Sequence, residues 1–222
     1  MFAPFSERGP SGLASQPRPF VFRASHLDNS TVQAGEIFHF NFHWFDVRGT
    51  SIDLAIRAFA EFGRQAELIE VGGADAPQQL CLDSDGDRAD RLTIRFETPT
   101  ELKTEGRAIE RPEFGVLAAR IRDRISTLRE LYDDGPLKID FRAFGERADR
   151  IRMAHCNIRR VETSRRSRRT GQIHSLGGFV GEAEYEGDLT EFIPYLRAAY
   201  WTGVGRQTAW GKGVLSVIER GE

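Results

Sequence analysis

From Arg91 onward the hydrophobic period of this 222-residue chain changes in a fixed order. "RLTIRFETPTELK" (Arg91–Lys103) alternates as a strand does. After Pro112, a favoured first helical residue, the residues Phe114, Leu117, Ala118, Ile121, Ile125 and Leu128 mark one face of a long helix. Residues 133–150 read as an irregular or short-helical insertion. Two strands are expected next, Met153–Thr163 and Gln172–Tyr185, separated by "SRRSRRTG". Asp188 with Glu191 forms an N-terminal capping pattern for a helix whose buried face is Leu189, Phe192, Ile193 and Leu196, and Val214–Ile218 closes the chain as a strand. Strand–helix–strand–strand–helix–strand is the ferredoxin-like βαββαβ order, an antiparallel sheet with both helices on one face.

The first half reads as the same unit begun late. "PFVFRA" (Pro19–Ala24) is a strand. "EIFHFNFHWFD" (Glu36–Asp46) alternates, with Phe38, Phe40, Phe42 and Trp44 on one face and His39, Asn41, His43 and Phe45 on the other. From Ser51 the residues Ile52, Ala55, Ile56 and Phe59 give a helix that Gly63 would stop, and Ala66–Val71 is a further strand. The fold class expected is therefore α+β, two tandem ferredoxin-like (RRM-like) units with the first truncated. Residues 1–18 form an irregular lead-in, 19–90 the truncated unit with its linker, and 91–222 the complete unit. The linker holds "DSDGD", which resembles the start of a calcium loop. Counted from Asp83, however, Arg88 stands where glycine is needed and Ile94 where glutamate is needed, so it reads as a solvated acidic turn.

Four glycines, Gly203, Gly205, Gly211 and Gly213, fall within eleven residues before the last strand. Such a loop brings backbone close to a ligand and reaches positive φ without steric penalty. It also carries Arg206, Gln207, Trp210 and Lys212, side chains suited to phosphates and a stacked base. Neither phosphate-binding glycine motif fits: Gly205 to Gly211 is too long for one, and Thr208 replaces the last glycine of the other.

The net charge of −2 is uninformative, but its distribution is not. Residues 141–170 hold ten arginines against three acids, a balance of +7, whereas residues 70–113 hold eleven acids against six bases. This asymmetry points to a polyanion site on one part of the surface. Its focus is Arg165, Arg166, Arg168 and Arg169, four guanidinium groups in five residues with no acid among them, at the tip of the expected hairpin.

Cys81 and Cys156 form neither a metal-ligand spacing nor a disulfide framework. The amino terminus lacks the basic and apolar regions of a secretion signal, and no apolar run approaches the roughly 18 residues of a membrane span. A cytoplasmic location and no membrane partner are expected. His39 and His43 share a strand face but sit about 13 Å apart on an extended chain, too far to share one metal. No metal, and no cofactor, is expected. Without metal, RNA can still be cut by its own 2′-OH if a base, an acid and a cation assist. The candidate groups are His26, His39, His43, His155, His174 and Tyr200. His26, leaving a strand into a polar loop, and His174, beside the arginine hairpin, rank first.

Together the stretches "PRPFVFR", "GEIFHFNFHWFD", "TPTELK", "FGVLAARIRDRISTL", "LGGFVGEAEYEGDL" and "GVGRQTAWGKG" resemble the CRISPR-associated repeat-RNA (pre-crRNA) processing endoribonucleases of the RAMP superfamily, from about Pro17 to the end. The resemblance implies two ferredoxin-like domains, binding of CRISPR repeat RNA or crRNA through the Gly203–Gly213 loop, and metal-independent cutting that leaves a 2′,3′-cyclic phosphate. Family members usually begin with a further strand and helix that bring the catalytic histidine. This sequence begins after that region, so no residue here is matched to that histidine. The expected function is binding and processing of pre-crRNA. The alternative is a non-catalytic RNA-binding subunit of a CRISPR effector complex, with effector-complex proteins as partners. The missing strand leaves a sheet edge open to a homodimer or another partner.

Overall fold

The computed structural model describes residues 16–28, 30–46, 51–65, 78–84, 86, 88–162, 164–166, 173–175 and 177–218. The complete unit forms as the periodicities require. Strand β3 (Arg91–Thr100) buries alternate residues Leu92, Ile94, Phe96, Thr98 and Thr100, and β10 (Leu215–Ile218), β9 (Gly178–Glu186) and β6 (Arg152–Val161) complete a four-stranded antiparallel sheet ordered β10-β3-β9-β6. With β3, β6, β9 and β10 as its four strands in chain order, this is the ferredoxin-like arrangement.

Helices α2 (Phe114–Tyr132) and α4 (Ile193–Thr202) cover one face of the sheet and pack on each other. All six apolar residues that define the α2 stripe are buried. Phe114 stands edge-on to both Tyr185 and Phe192, at 5.1 Å in each case, tying helix to sheet and to the second helix. The insertion holds α3 (Phe141–Ala148), capped by Asp140, whose carboxylate accepts the amides of Arg142 and Ala143.

The first unit comprises β1 (Phe20–Arg23), β2 (Asn41–Trp44) and α1 (Ser51–Gln65), with β1 and β2 paired antiparallel, Phe22 opposite Phe42. Its core is aromatic: Phe59 of α1 lies 4.8 Å from Phe42, 5.8 Å from Phe40 and 6.0 Å from Phe22. This is the Phe-rich face read from the alternation. The strand expected at 66–71 lies outside the described residues.

Several boundaries differ from the sequence reading. The helix of the first unit runs through Gly63 to Gln65, since a glycine two residues from an end weakens a helix without stopping it. Ile56, assigned to its buried face, is 45% exposed. Strand β3 stops at Thr100, and Lys103 opens a small hairpin of β4 (Lys103–Thr104) with β5 (Arg107–Ala108). The strand expected over 172–185 is two strands, β8 (Ile173–Ser175) and β9. Strand β8 pairs with β7 (Ser164–Arg166) in a separate ribbon beyond the sheet. Asp188 and Glu191 do not cap α4. The helix starts after Phe192 with Pro194 in its first turn, and Glu191 instead takes a two-pronged hydrogen bond from Arg147 of α3, 2.6 Å on each side.

Candidate nucleic-acid interface

Strand register decides where the arginine ribbon and the glycine-rich loop sit. Thr100, the last residue of β3, is opposite Phe179 at the start of β9, and Val161 at the end of β6 is opposite Gly178. The arginine ribbon therefore leaves the sheet at the Thr100 end. Strand β10 begins at Leu215 opposite Phe96, so the loop before it arrives at that same end. The Gly213 amide donates to the Pro99 carbonyl (3.3 Å) and the Arg206 amide to the Glu101 carbonyl (3.2 Å). Ribbon and loop thus flank one end of the sheet, separated by about two strand spacings, roughly 10 Å.

All four loop glycines have positive φ. What they approach is the protein's own backbone: a Cβ on Gly205 would fall 2.4 Å from the Glu101 carbonyl oxygen, and one on Gly213 would fall 1.8 Å from that of Val204. Glycine here lets the loop close onto the end of β3. Gln207 takes a left-handed conformation (φ 60°) to start the 3-10 turn Thr208–Trp210. Trp210 is 48% exposed. Arg206 pairs with Glu101 at 3.1 Å. Lys212 is half-buried, and that burial pushes its ammonium below the ordinary lysine value against the fields of Asp28 and Glu101.

Arg165 and Arg166 stand in the ribbon, with Arg165 paired across it to His174. Arg168 and Arg169 lie outside the described residues. His26 is an exposed residue of the 3-10 turn Ser25–Leu27, directly after β1. Its ring stacks on that of His39 with centroids 4.5 Å apart, and its Nε2 lies 2.8 Å from the His39 carbonyl oxygen. A carbonyl only accepts, so Nε2 carries the proton and Nδ1 of the neutral ring holds the lone pair. Strand β1 runs beside the 3-10 turn Thr208–Trp210, and Gly211 packs against the Phe22 carbonyl. The loop therefore runs beside the strand that leads into His26.

Three residues that the sequence reading either passed over or left among many converge on the end of α4, and two of them, Arg23 and His43, fasten the two units together. Arg23 of β1 donates from Nη2 to the carbonyls of Tyr200 (2.6 Å) and Trp201 (3.1 Å). Arg124 of α2 donates from Nε to that of Thr202 (2.8 Å), and His43 Nδ1 lies 3.4 Å from the Trp201 carbonyl. These are the last carbonyls of α4, where orphan acceptors and the helix dipole favour cations. Burial lowers Arg124 to about 9 and Arg23 to about 10, and it also holds His43 below the ordinary histidine range. Nothing local in the sequence marks these residues, because their partners are carbonyls 78 to 178 positions away.

The open face of the sheet has a different character. Its central strand β9 presents Glu182, Glu184 and Glu186. Arg95 pairs with Glu182 (2.7 Å), Arg91 with Glu184 and Glu186, and Arg152 with Glu186. It lacks the aromatic stacking platform of an RRM, and a row of carboxylates disfavours a phosphate chain. Among the described residues no group of three or more His, Cys, Asp and Glu could hold a metal ion, and no helix is long and apolar enough to cross a membrane.

A profile of the CRISPR-associated endoribonuclease Cas6 matches residues 94–215, more than half of the chain. The chain belongs to the Cas6 family. No curated protein matches the sequence. The solved Cas6 of Thermus thermophilus shares 21% identity over 61% of this chain and 56% of its own, with a TM-score of 0.48. A Cas6-related protein of Pyrococcus furiosus shares 12% over 82% and 68%, with a TM-score of 0.40. A partial Cas6-RT-Cas1–Cas2 complex shares 12% over 77% and 34%, with a TM-score of 0.50, a likeness of fold. This Cas6-family chain spans about half the length of the Thermus structure.

Proposed function

We propose that this Cas6-family chain binds CRISPR repeat RNA across the Thr100 end of the second sheet, gripped between the Gly203–Gly213 loop and the arginine ribbon, and processes pre-crRNA there. The observation that carries this reading is the register that brings both segments to one end of one sheet. Arginine forks and backbone amides suit phosphates, and Trp210 supplies a stacking face.

The cleavage chemistry proposed uses the RNA's own 2′-OH and needs no metal or cofactor. The O2′–P bond forms as the P–O5′ bond breaks, giving a 2′,3′-cyclic phosphate and a 5′-hydroxyl. His26 Nδ1 takes the 2′-OH proton, an acid such as His174 protonates the leaving oxygen, and Lys212 or Arg206 offsets the developing charge. Incubation with repeat RNA in EDTA tests this: a discrete cut that His26→Ala abolishes supports it, and uncut RNA refutes cleavage. A second reading is binding without cutting within an effector complex. Tight retention of intact RNA would establish it.

A further inference from the structure

The segment between β1 and β2 lies outside the stretch that defines the family, residues 94–215. It encloses an open hollow of about 710 Å³. One side is the stacked pair His26 and His39, both exposed, and the rest includes Leu27, Val32, Ile37 and Phe38, with Glu36 at the wall. Ile37 is 97% exposed and Val32 41%, an unusual use of apolar side chains on a surface turn whose own core is aromatic and elsewhere. Glu36 is held in place by accepting the Gln33 amide on Oε2 (2.7 Å), and among the described residues its Oε1 takes no protein donor.

We infer that this hollow is a nucleobase pocket, in which one base extruded from the bound RNA stacks on the His26–His39 pair between Val32 and Ile37 and donates an edge hydrogen bond to Glu36. An aromatic face, apolar flanks and a carboxylate acceptor in the lining are what a flat heterocycle with donors on its edge needs, and a volume of this size admits a nucleotide. Its position agrees: β1, which leads into His26, runs beside the 3-10 turn Thr208–Trp210 of the glycine-rich loop, and Gly211 packs on the Phe22 carbonyl. The inference rests on the RNA-binding reading and deepens it, giving the first unit the task of selecting a base.

The test is an NMR titration of the full chain, following the imidazole signals of His26 and His39 as GMP, AMP, CMP, UMP and ribose 5-phosphate are added, with repeat-RNA binding measured in parallel. Saturable shifts with nucleotides and none with ribose 5-phosphate are expected. His39→Ala, at an exposed site that leaves folding intact, should weaken nucleotide binding roughly tenfold. Glu36→Gln should change the ranking among the four bases. Equal shifts with ribose 5-phosphate, or RNA binding that persists while nucleotides move neither signal, overturn the pocket. Absence of RNA binding overturns the reading beneath it as well.

Discussion

Arg23 Nη2 sits 2.6 Å from the carbonyl oxygen of Tyr200, joining the first strand of one unit to the last turn of a helix 177 residues later. Directly after that turn comes the glycine-rich loop. The interaction is a charge-assisted hydrogen bond at a helix carboxyl end, with Trp201 as a second acceptor. Replacing Arg23 by methionine keeps most of the apolar stem and removes both donations. The expected loss is about 1.5–3 kcal/mol by denaturant titration. Repeat-RNA affinity should fall with it, since the loop loses its support. Lysine, with one point charge, should recover only part of either.

Gly205 gives a sharper structural test. Its φ is +80°, and a Cβ would lie 2.4 Å from the Glu101 carbonyl oxygen, a backbone atom that cannot turn aside. Gly205→Ala should destabilise the protein by roughly 1–3 kcal/mol from backbone strain alone. Lifting the loop off β3 should also reduce RNA binding. A thermal midpoint unchanged from the parent would show that the loop does not close onto β3 in this way.

His43 sets an acid limit. Burial holds its folded-state value below the ordinary one near 6.5, so the unfolded chain binds its proton first. Stability from this residue is present above about pH 6.5 and is lost as the pH falls from there toward the lower folded value. Denaturant midpoints measured between pH 7.5 and 5 should therefore fall less steeply in His43→Gln than in the parent. Parallel slopes would contradict a half-buried neutral imidazole beside Trp201.

The parts of this architecture that follow hydrophobic period were legible, because period is local. The α2 stripe from Phe114 to Leu128 and the alternation of β3 and of Phe40–Trp44 could be read directly, and so could the helix–strand order around them. Elements decided by non-local partners were not. Glu191 looks like a capping residue until Arg147, from the insertion, is brought against it. Strand β9 starts at Gly178, where a Cβ would lie 2.6 Å from the Thr100 backbone of the neighbouring strand, a contact no local pattern signals. At the site, the loop and the ribbon were legible as compositions, and their shared end of the sheet follows from register. The stacking of His26 on His39 has no sequence signal, since the two lie thirteen positions apart with no shared periodicity.

The central claim is that RNA lies across the Thr100 end of the sheet and not over its open face. It is tested most directly by salt-dependent binding of repeat RNA to two variants of equal charge loss per residue. One replaces Arg165, Arg166, Arg168 and Arg169 by glutamine; the other replaces Arg91, Arg95 and Arg152. Removing one arginine–phosphate pair should lower the magnitude of the log–log salt slope by about 0.7. The account predicts a large loss of affinity and a shallower slope for the ribbon variant, with the open-face variant binding like the parent. An unchanged ribbon variant beside a weakened open-face variant would contradict it.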